Sequence, residues 1–525
     1  MATAIDSHLE SPSPGYTGPR RVPLSPGQLR IVVGVAVLVV ATGLRVWQIN
    51  RLGVNSDEAV YAGQAAALAG DSTLLPYFPV FRAHPLLFQS ILSIPYRVFG
   101  VSELTGRLVS AAFGVGCVVM IYFAGKELYG RKVGFLAAVV SALMPYLVVV
   151  SRQVILDGPM TFFAAAGLYC MARYGREQST RWLCMAGAAM GLTVLAKETS
   201  IVLMASVFGF LALSAAMRVR LSQLLWALGV FAAIVAIYPL SVVWSGASSV
   251  GGNFVVWQLL RKANHDFWFY PSVVPPAIGL PVVVAAVTGL WFVRRSWGWQ
   301  ESLLVWWVAV PAVFFQIWAV KGYQYLLPIA PAMAILAARA LVLILTSSGS
   351  WRIPVSRQVA FRLATAVTVG WLAITSIVTI RPDDGVTSFL AGTGGVPGGR
   401  EAGTWVADNV PEGSELLALG PSMANIIQFY GHRKTYGISV SPNPLHRNPV
   451  YEPVLNPDLK IRHNDLQYVV WDSFSAERSP FFSATLDRYV KRYKGFPVHT
   501  EYATTTDSSG NPAQTPIIII YEVRP

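Results

Sequence analysis

Asn55-Ser56-Asp57-Glu58-Ala59-Val60-Tyr61 is the stretch on which the reading of this chain turns. It follows the apolar run from Ile31 to Leu44 and precedes Arg82-Ala83-His84-Pro85. Adjacent carboxylates at a membrane face are costly to bury and are seldom kept there for packing. Beside a long hydrophobic bundle they point to proton transfer or cation binding on a lipid-borne substrate. Successive residues point different ways, so Asp57 and Glu58 are expected to have separate jobs. One accepts a proton from an incoming hydroxyl and the other orients a partner or a cation. The structural alternative is an N-cap, with Ser56 or Asp57 opening a helix over Ala59–Gly70 and the acids suiting its first turn. The two roles are compatible.

Composition supplies the bundle. The chain has 525 residues, 54% of them hydrophobic and only 13% charged, against about 25% charged in soluble domains. With 16 Trp and a mean hydropathy of +0.50, it reads as a polytopic α-helical membrane protein. The net charge of +13 is uneven: 13 Lys and Arg face 15 Asp and Glu from Arg381 onward, while the first 380 residues carry 27 against 12. A basic membrane part and a slightly acidic tail fit loops at an anionic leaflet plus a soluble appendage. The basic residues sit at span ends and form no patch, which excludes nucleic-acid binding. Cys117, Cys170 and Cys184 all lie in apolar runs, so neither a disulfide framework nor zinc-ligand spacing is on offer.

Residues 1–29, rich in Pro, Ser and Gly, read as a disordered cytoplasmic leader. Arg20, Arg21 and Arg30 precede the first apolar run, and Leu44-Arg45-Val46-Trp47 follows it in place of a small-residue cleavage site, so that span is expected to be uncleaved. Residues 30–380 hold about eleven apolar runs of membrane-crossing length. They begin near Arg30, Leu104, Val133, Pro159, Trp182, Ser200, Gln223, Pro275, Ser302, Gln324 and Phe361. Ala59–Gly70 and Pro85–Phe99 are shorter and are expected to lie along the interface in the first external loop. Arg381-Pro382 and the glycines from Gly392 to Gly399 form a linker. Residues 381–525 then read as a small α/β domain, with helices over Ala402–Asn409, Met423–Tyr430 and Ser483–Tyr493 and strands over Glu415–Leu419, Tyr468–Trp471 and Ile517–Val523.

Alternate loops differ in charge. Lys126, Arg131 and Lys132, Arg173, Arg176 and Arg181, Arg218 and Arg220, Arg294 and Arg295, and Arg352 and Arg357 mark one side as cytoplasmic. The Asp57 loop, the Arg152–Asp157 segment, Lys197-Glu198, the Ser245–Ser272 loop, Lys321 and the tail then fall outside. On that side Ser151-Arg152 and Asp157-Gly158-Pro159 form a second constellation. The planar fork of Arg152 suits a phosphate and Asp157 supplies another carboxylate; the alternative is a snorkelling Arg and a cap before Pro159. Lys197 is an interfacial anchor or a phosphate counter-charge. His84 is a ligand, a hydrogen-bonding group or an interfacial residue. Lys321-Gly322-Tyr323-Gln324-Tyr325 is a weaker head-group candidate, and His265 and Asp266 beside Trp268, Phe269 and Tyr270 carry little signal.

Taken together, Asp57-Glu58 in the first external loop, His84-Pro85, Ser151-Arg152 with Asp157, and Lys197 after the fifth span resemble the GT-C membrane glycosyltransferases. The likeness runs over roughly Arg30 to Arg339. It is nearest to the protein O-mannosyltransferase and lipid A aminoarabinose transferase group, glycosyltransferase family 39-like and of actinobacterial type. The resemblance implies an inverting enzyme that moves a hexose or pentose from a polyprenyl-phosphate donor to a hydroxyl acceptor (protein, cell-wall glycan or lipid) at the outer face of the plasma membrane. It implies catalysis by Asp57, Glu58 and Asp157, donor-phosphate binding by Arg152 and Lys197, and substrate contacts from Tyr61, His84 and Tyr325. A divalent metal (Mg, Mn or Zn) could sit on Asp57 and Asp157, or the site could do without one. The chain departs from the family pattern with one proline in His84-Pro85-Leu86 and with Gln324-Tyr325 where Arg-Tyr is frequent. Trp306-Trp307 is followed by Val308, which argues against the asparagine-linked branch. Two other classes compete. A transporter or glycolipid flippase calls for charges near the midplane and internal repeats, and a scaffold with a degenerate site calls for neither.

Overall fold

The computed structural model describes residues 25–81, 83–214, 216–246, 254, 256–258, 260–346, 355–381, 396–443, 446–506 and 512–525. Residues 1–24 of the expected leader and 382–395 of the expected linker lie outside the described residues.

The chain builds a helical membrane bundle and a small C-terminal α/β domain. The bundle opens with α1 (Pro26–Val46), whose cap Ser25 and Gln28 form a reciprocal capping box. Then come α2 (Ser56–Ala69), α3 (Leu87–Phe99), α4 (Glu103–Tyr129), α5 (Arg131–Leu143), α6 (Pro145–Val150), α7 (Asp157–Glu177) and α8 (Thr180–Ala196). Every apolar run read as a span coincides with a helix. Among the described residues six helices are long and apolar enough to cross a membrane, and the pair Phe269–Ile278 and Leu280–Val293, bent by 95°, makes a seventh if counted as one span. The other four, α5, α7, α8 and Val202–Leu213, are shorter or more polar. The outward faces are apolar: Ile31, Val39, Trp226, Val284 and Ile374 are each more than half exposed, the surface of a bundle solvated by lipid.

The two helices of the first loop differ. α3 buries Phe88, Leu92 and Tyr96 while Ile94, Val98 and Phe99 face outward, as an interfacial helix should. α2 is buried on nearly all sides, through Ala59, Tyr61, Ala62, Ala65 and Ala66. α3 packs on one side of this first-loop helix and the C-terminal helix Pro421–Gly431 on another, so protein covers much of it. Its fit is tight, because a Cβ at Gly63 would collide with the ring of Phe78.

The C-terminal domain is a five-stranded sheet of order β2-β1-β3-β5-β4, with β1 (Glu415–Ala418), β2 (Thr435–Gly437), β3 (Leu466–Asp472), β4 (Phe496–Thr506) and β5 (Pro512–Glu522). β1 runs parallel to β2 and β3, and β5 runs antiparallel to β3 and β4. Leu416 and Ala418 pack on one face with Ile426, Val470 and Ile520, while Leu417 and Leu419 pack on the other with Leu466, Val469 and Leu486. Burial of both faces is why the strand reads as an unbroken apolar run.

This domain is locked to the first loop. The Tyr430 hydroxyl accepts from the Val54 amide at 2.8 Å and donates to Glu103. Arg400 Nε donates to Glu103 Oε1 at 2.9 Å, and Asn425 Nδ2 donates to Ser56 Oγ at 3.0 Å. Gly53 is needed at this seam, since a Cβ there would stand 2.9 Å from Arg400 Cβ.

Candidate active site

The cap of α2 settles what the two acids do. Asn55 is the cap: its side chain accepts from the Glu58 amide at 2.9 Å, and Glu58 Oε2 accepts from the Asn55 amide at 3.1 Å. Glu58 is wholly buried and takes Arg107 in a two-pronged ion pair, Nε to Oε1 and Nη2 to Oε2 both at 2.9 Å. It also accepts from the Val154 amide at 3.0 Å. Asn55 Nδ2 donates to Gln153 at 3.0 Å. These bonds clamp the start of α2 onto the segment leading to Asp157, so two stretches a hundred residues apart meet. Glu58 is spent on that clamp and does not line the cavity; the catalytic role expected for it is revised to a positioning one.

Asp57 is different. It is half-buried on the wall of a cavity of about 490 Å³ between the bundle and the C-terminal domain. No hydrogen bond or ion pair reaches its carboxylate among the described residues. Burial pushes its pKa up to about 6, against the opposing pull of Lys197 and His84. Tyr61, one turn along α2, lines the same wall, and burial pushes its phenol well up, keeping it a neutral donor.

Lys197, the residue that ends α8, lines the cavity and donates from Nζ to both oxygens of Asp157, at 2.8 and 2.9 Å. Its ammonium also stands 5.0 Å from the centre of the Tyr325 ring. Asp157 opens α7 and lies behind Lys197, not on the cavity wall. His84 lines the wall, with Nδ1 2.9 Å from each oxygen of Glu198; that carboxylate fixes the ring proton on Nδ1 and leaves Nε2 as the other hydrogen-bonding atom. The structure therefore gathers Asp57, Tyr61, His84, Lys197 and Tyr325 around one cavity.

It does not bring Arg152 there. The Arg152 guanidinium donates to the carbonyls of Leu44 at 2.8 Å and Arg45 at 3.3 Å, tying the end of α1 to α6, and it is absent from the cavity wall. The structure thus does not bring Arg152, expected at the donor phosphate, together with the other site residues. His265 stacks on Phe269, with ring centres 4.0 Å apart, and does not line the cavity either.

The remaining charge on the wall is cationic: Arg261, Lys321, Arg447 and Arg478 join Lys197, and Asp57 is the one carboxylate among the described lining residues. No acid pairs with those four cations among the described residues. Arg261 stacks on Trp257, 4.6 Å from its ring centre. Of the five, the sequence reading singled out only Lys197 and Lys321. The only local signal for Arg261 was an aromatic residue, Trp257, four positions before it. Arg447 and Arg478 come from the tail and carried no local signal.

Asp57 and Asp157 do not form a metal pair as they stand. Both Asp157 oxygens are engaged by an ammonium that a cation would have to displace. Among the described residues no group of three or more His, Cys, Asp and Glu converges as a ligand set. Asp57 and Asp157 therefore do not fit a resident metal.

Comparison with known proteins gives the fold. Residues 83–244 match the family described as dolichyl-phosphate-mannose-protein mannosyltransferase. An uncharacterized protein of Aquifex aeolicus is 25% identical over 313 residues, 55% of this chain and 60% of that one. An undecaprenyl phosphate-alpha-4-amino-4-deoxy-L-arabinose arabinosyl transferase of Proteus mirabilis is 24% identical over 322 residues, 55% of this chain and 56% of that one. In three dimensions the chain is similar to ArnT from Cupriavidus metallidurans in the apo state, with a TM-score of 0.66, 15% identity, and 95% of this chain and 98% of that one covered. The same protein has also been solved bound to undecaprenyl phosphate, at a TM-score of 0.62. The chain shares the fold of that protein, the GT-C fold. It spans 60% or less of the length of the two curated relatives named here.

Proposed function

We propose that this chain is an inverting glycosyltransferase that moves a sugar from a polyprenyl-phosphate donor to a hydroxyl acceptor at the outer face of the membrane. The observation that carries the reading is the charge of the cavity: one unpaired carboxylate, Asp57, faces five cations, four of them without an acid partner among the described residues. Lys197 and Lys321 are buried and Arg261 and Arg447 half-buried, and cations so placed call for an anion. A lipid phosphate supplies one and gains charge as it leaves, which is where fixed cations lower the barrier most. The likeness to ArnT, solved with undecaprenyl phosphate, supports the same ligand chemistry.

In this mechanism Lys197, held in place by Asp157, and Arg261, braced on Trp257, receive the phosphate oxygens. Asp57 takes the proton from the acceptor hydroxyl. The acceptor oxygen forms its bond to the anomeric carbon from the face opposite the phosphate, the bond from that carbon to the phosphate oxygen breaks, and polyprenyl phosphate departs with the electron pair. Asp57, Lys197, Trp257 and Lys321 come from four loops and meet at one end of the bundle. The cationic loops at Arg131-Lys132, Arg218-Arg220 and Arg294-Arg295 support a cytoplasmic position for the other end.

The pH profile tests the base. A carboxylate accepts a proton only when ionised, so a group with its pKa raised to about 6 is active above that value and silent below it. The kcat/KM for transfer is expected to fall tenfold per pH unit below about 6 and to level off above 7. A profile that stays flat down to pH 4.5 would remove Asp57 from this role.

A further inference from the structure

A second cavity, of about 280 Å³, adjoins the first and has the opposite character. It lies between the Pro76–Pro79 part of the first loop and the C-terminal domain, and Pro421, Val440, Val450 and Tyr451 line both cavities. Its only charged lining residues among those described, Lys434 and Glu452, pair with each other at 2.7 Å. The other groups that matter are aromatic or amide: Tyr77, Tyr451, Asn425 and Gln428. Gln428 is 7% exposed, and its side-chain amide makes no hydrogen bond among the described residues although it lines the cavity. That amide is therefore open to the cavity and free to hydrogen-bond a polar ligand there. Asn425 forms part of the partition, since it lines this cavity while donating to Ser56, which lines the first beside Asp57.

Neutral walls, aromatic rings at the mouth and an unpartnered buried amide suit an uncharged polyhydroxylated ligand with an apolar face. They do not suit a phosphate or a carboxylate. We infer that this cavity is a saccharide subsite that holds one sugar ring of a glycan acceptor, the neighbouring ring reaching over Pro421 and Tyr451 to present its hydroxyl to Asp57. The inference rests on the transferase reading for the use of the site, but the binding itself does not.

The experiment is equilibrium binding to the full chain in lipid nanodiscs, read by saturation-transfer NMR without turnover. The probes are neutral disaccharides of mannose, arabinose and galactose, with digalacturonic acid as the charged control. At least one neutral disaccharide is expected to bind saturably, with the acid weaker by tenfold or more. Gln428→Leu and Tyr451→Ala are each expected to weaken the neutral ligand at least tenfold. The two variants act from a helix and from a loop rim, so a fold defect in one leaves the other informative. If no neutral disaccharide binds the wild-type chain, or if both variants bind as well as wild type, the subsite is overturned. A failure of Asp57 as base would appear in transfer assays and leave these affinities as they are.

Discussion

Replacing Asp57 by Asn is expected to abolish transfer while leaving the protein folded. The helix that carries Asp57 is capped by Asn55 and Glu58 through two hydrogen bonds of 2.9 and 3.1 Å, so nothing in the cap depends on the carboxylate. Asn keeps the volume and loses only the proton acceptor and the negative charge. A positioned general base contributes about 10²–10⁴-fold, so kcat is expected to fall by that factor. Affinity for polyprenyl phosphate should hold or rise, because a like charge leaves the cavity. The measurement is single-turnover transfer from labelled donor beside donor binding on the same preparation. Near-normal kcat with a normal expression level would show that another group takes the proton.

The second large effect is on stability. Arg107 is 1% exposed, and besides Glu58 its guanidinium donates to the carbonyls of Ile49 at 2.9 Å, Leu52 at 2.6 Å and Gly53 at 2.8 Å. It thereby shapes the turn between α1 and α2; Glu58 neutralises it through two bonds, with Glu103 a longer contact at 3.5 Å. Glu58→Ala leaves that buried charge with the longer Glu103 contact and also strips the Val154 and Asn55 amides of their acceptor. Removing one partner of a buried pair costs about 3–5 kcal/mol, a large share of the roughly 5–15 kcal/mol that holds a domain together. Thermal unfolding in detergent is expected to drop sharply, with transfer lost in proportion to folded protein. Glu58→Gln, which keeps the shape and an acceptor, should fall between. An unchanged melting temperature in Glu58→Ala would contradict the clamp.

What the sequence disclosed divides along physical lines. Apolar length is a local property, so each run read as a span coincides with a helix. Alternating and continuous apolar patterns likewise marked β1, β3 and β5. β2 is three residues long and was too short to register. β4, which carries Pro497 on the outer edge of the sheet, tolerates a proline that argues against a central strand. Polar residues at span ends were the harder case. Asp57 and Arg152 stand in similar contexts, yet one is left open on a cavity and the other is tied to the carbonyls of Leu44 and Arg45. Which way such a side chain turns depends on the element packed beside it, and one sequence does not show that. The burial of α2 had the same cause: its cover is the Pro421–Gly431 helix, more than 350 residues away. The tail's Arg447 and Arg478 reach the cavity only because that docking exists.

The account stands or falls on whether the chain breaks the bond between sugar and lipid phosphate. Purified full-length protein in nanodiscs is incubated with a panel of polyprenyl-phosphate sugars labelled in the sugar, and both products are followed. Free polyprenyl phosphate is expected to appear in step with labelled sugar on a hydroxyl acceptor, with inverted anomeric configuration, for at least one donor. Recovery of every donor intact, whether merely bound or moved across the bilayer, would contradict it and leave the cationic cavity as the binding site of a lipid carrier.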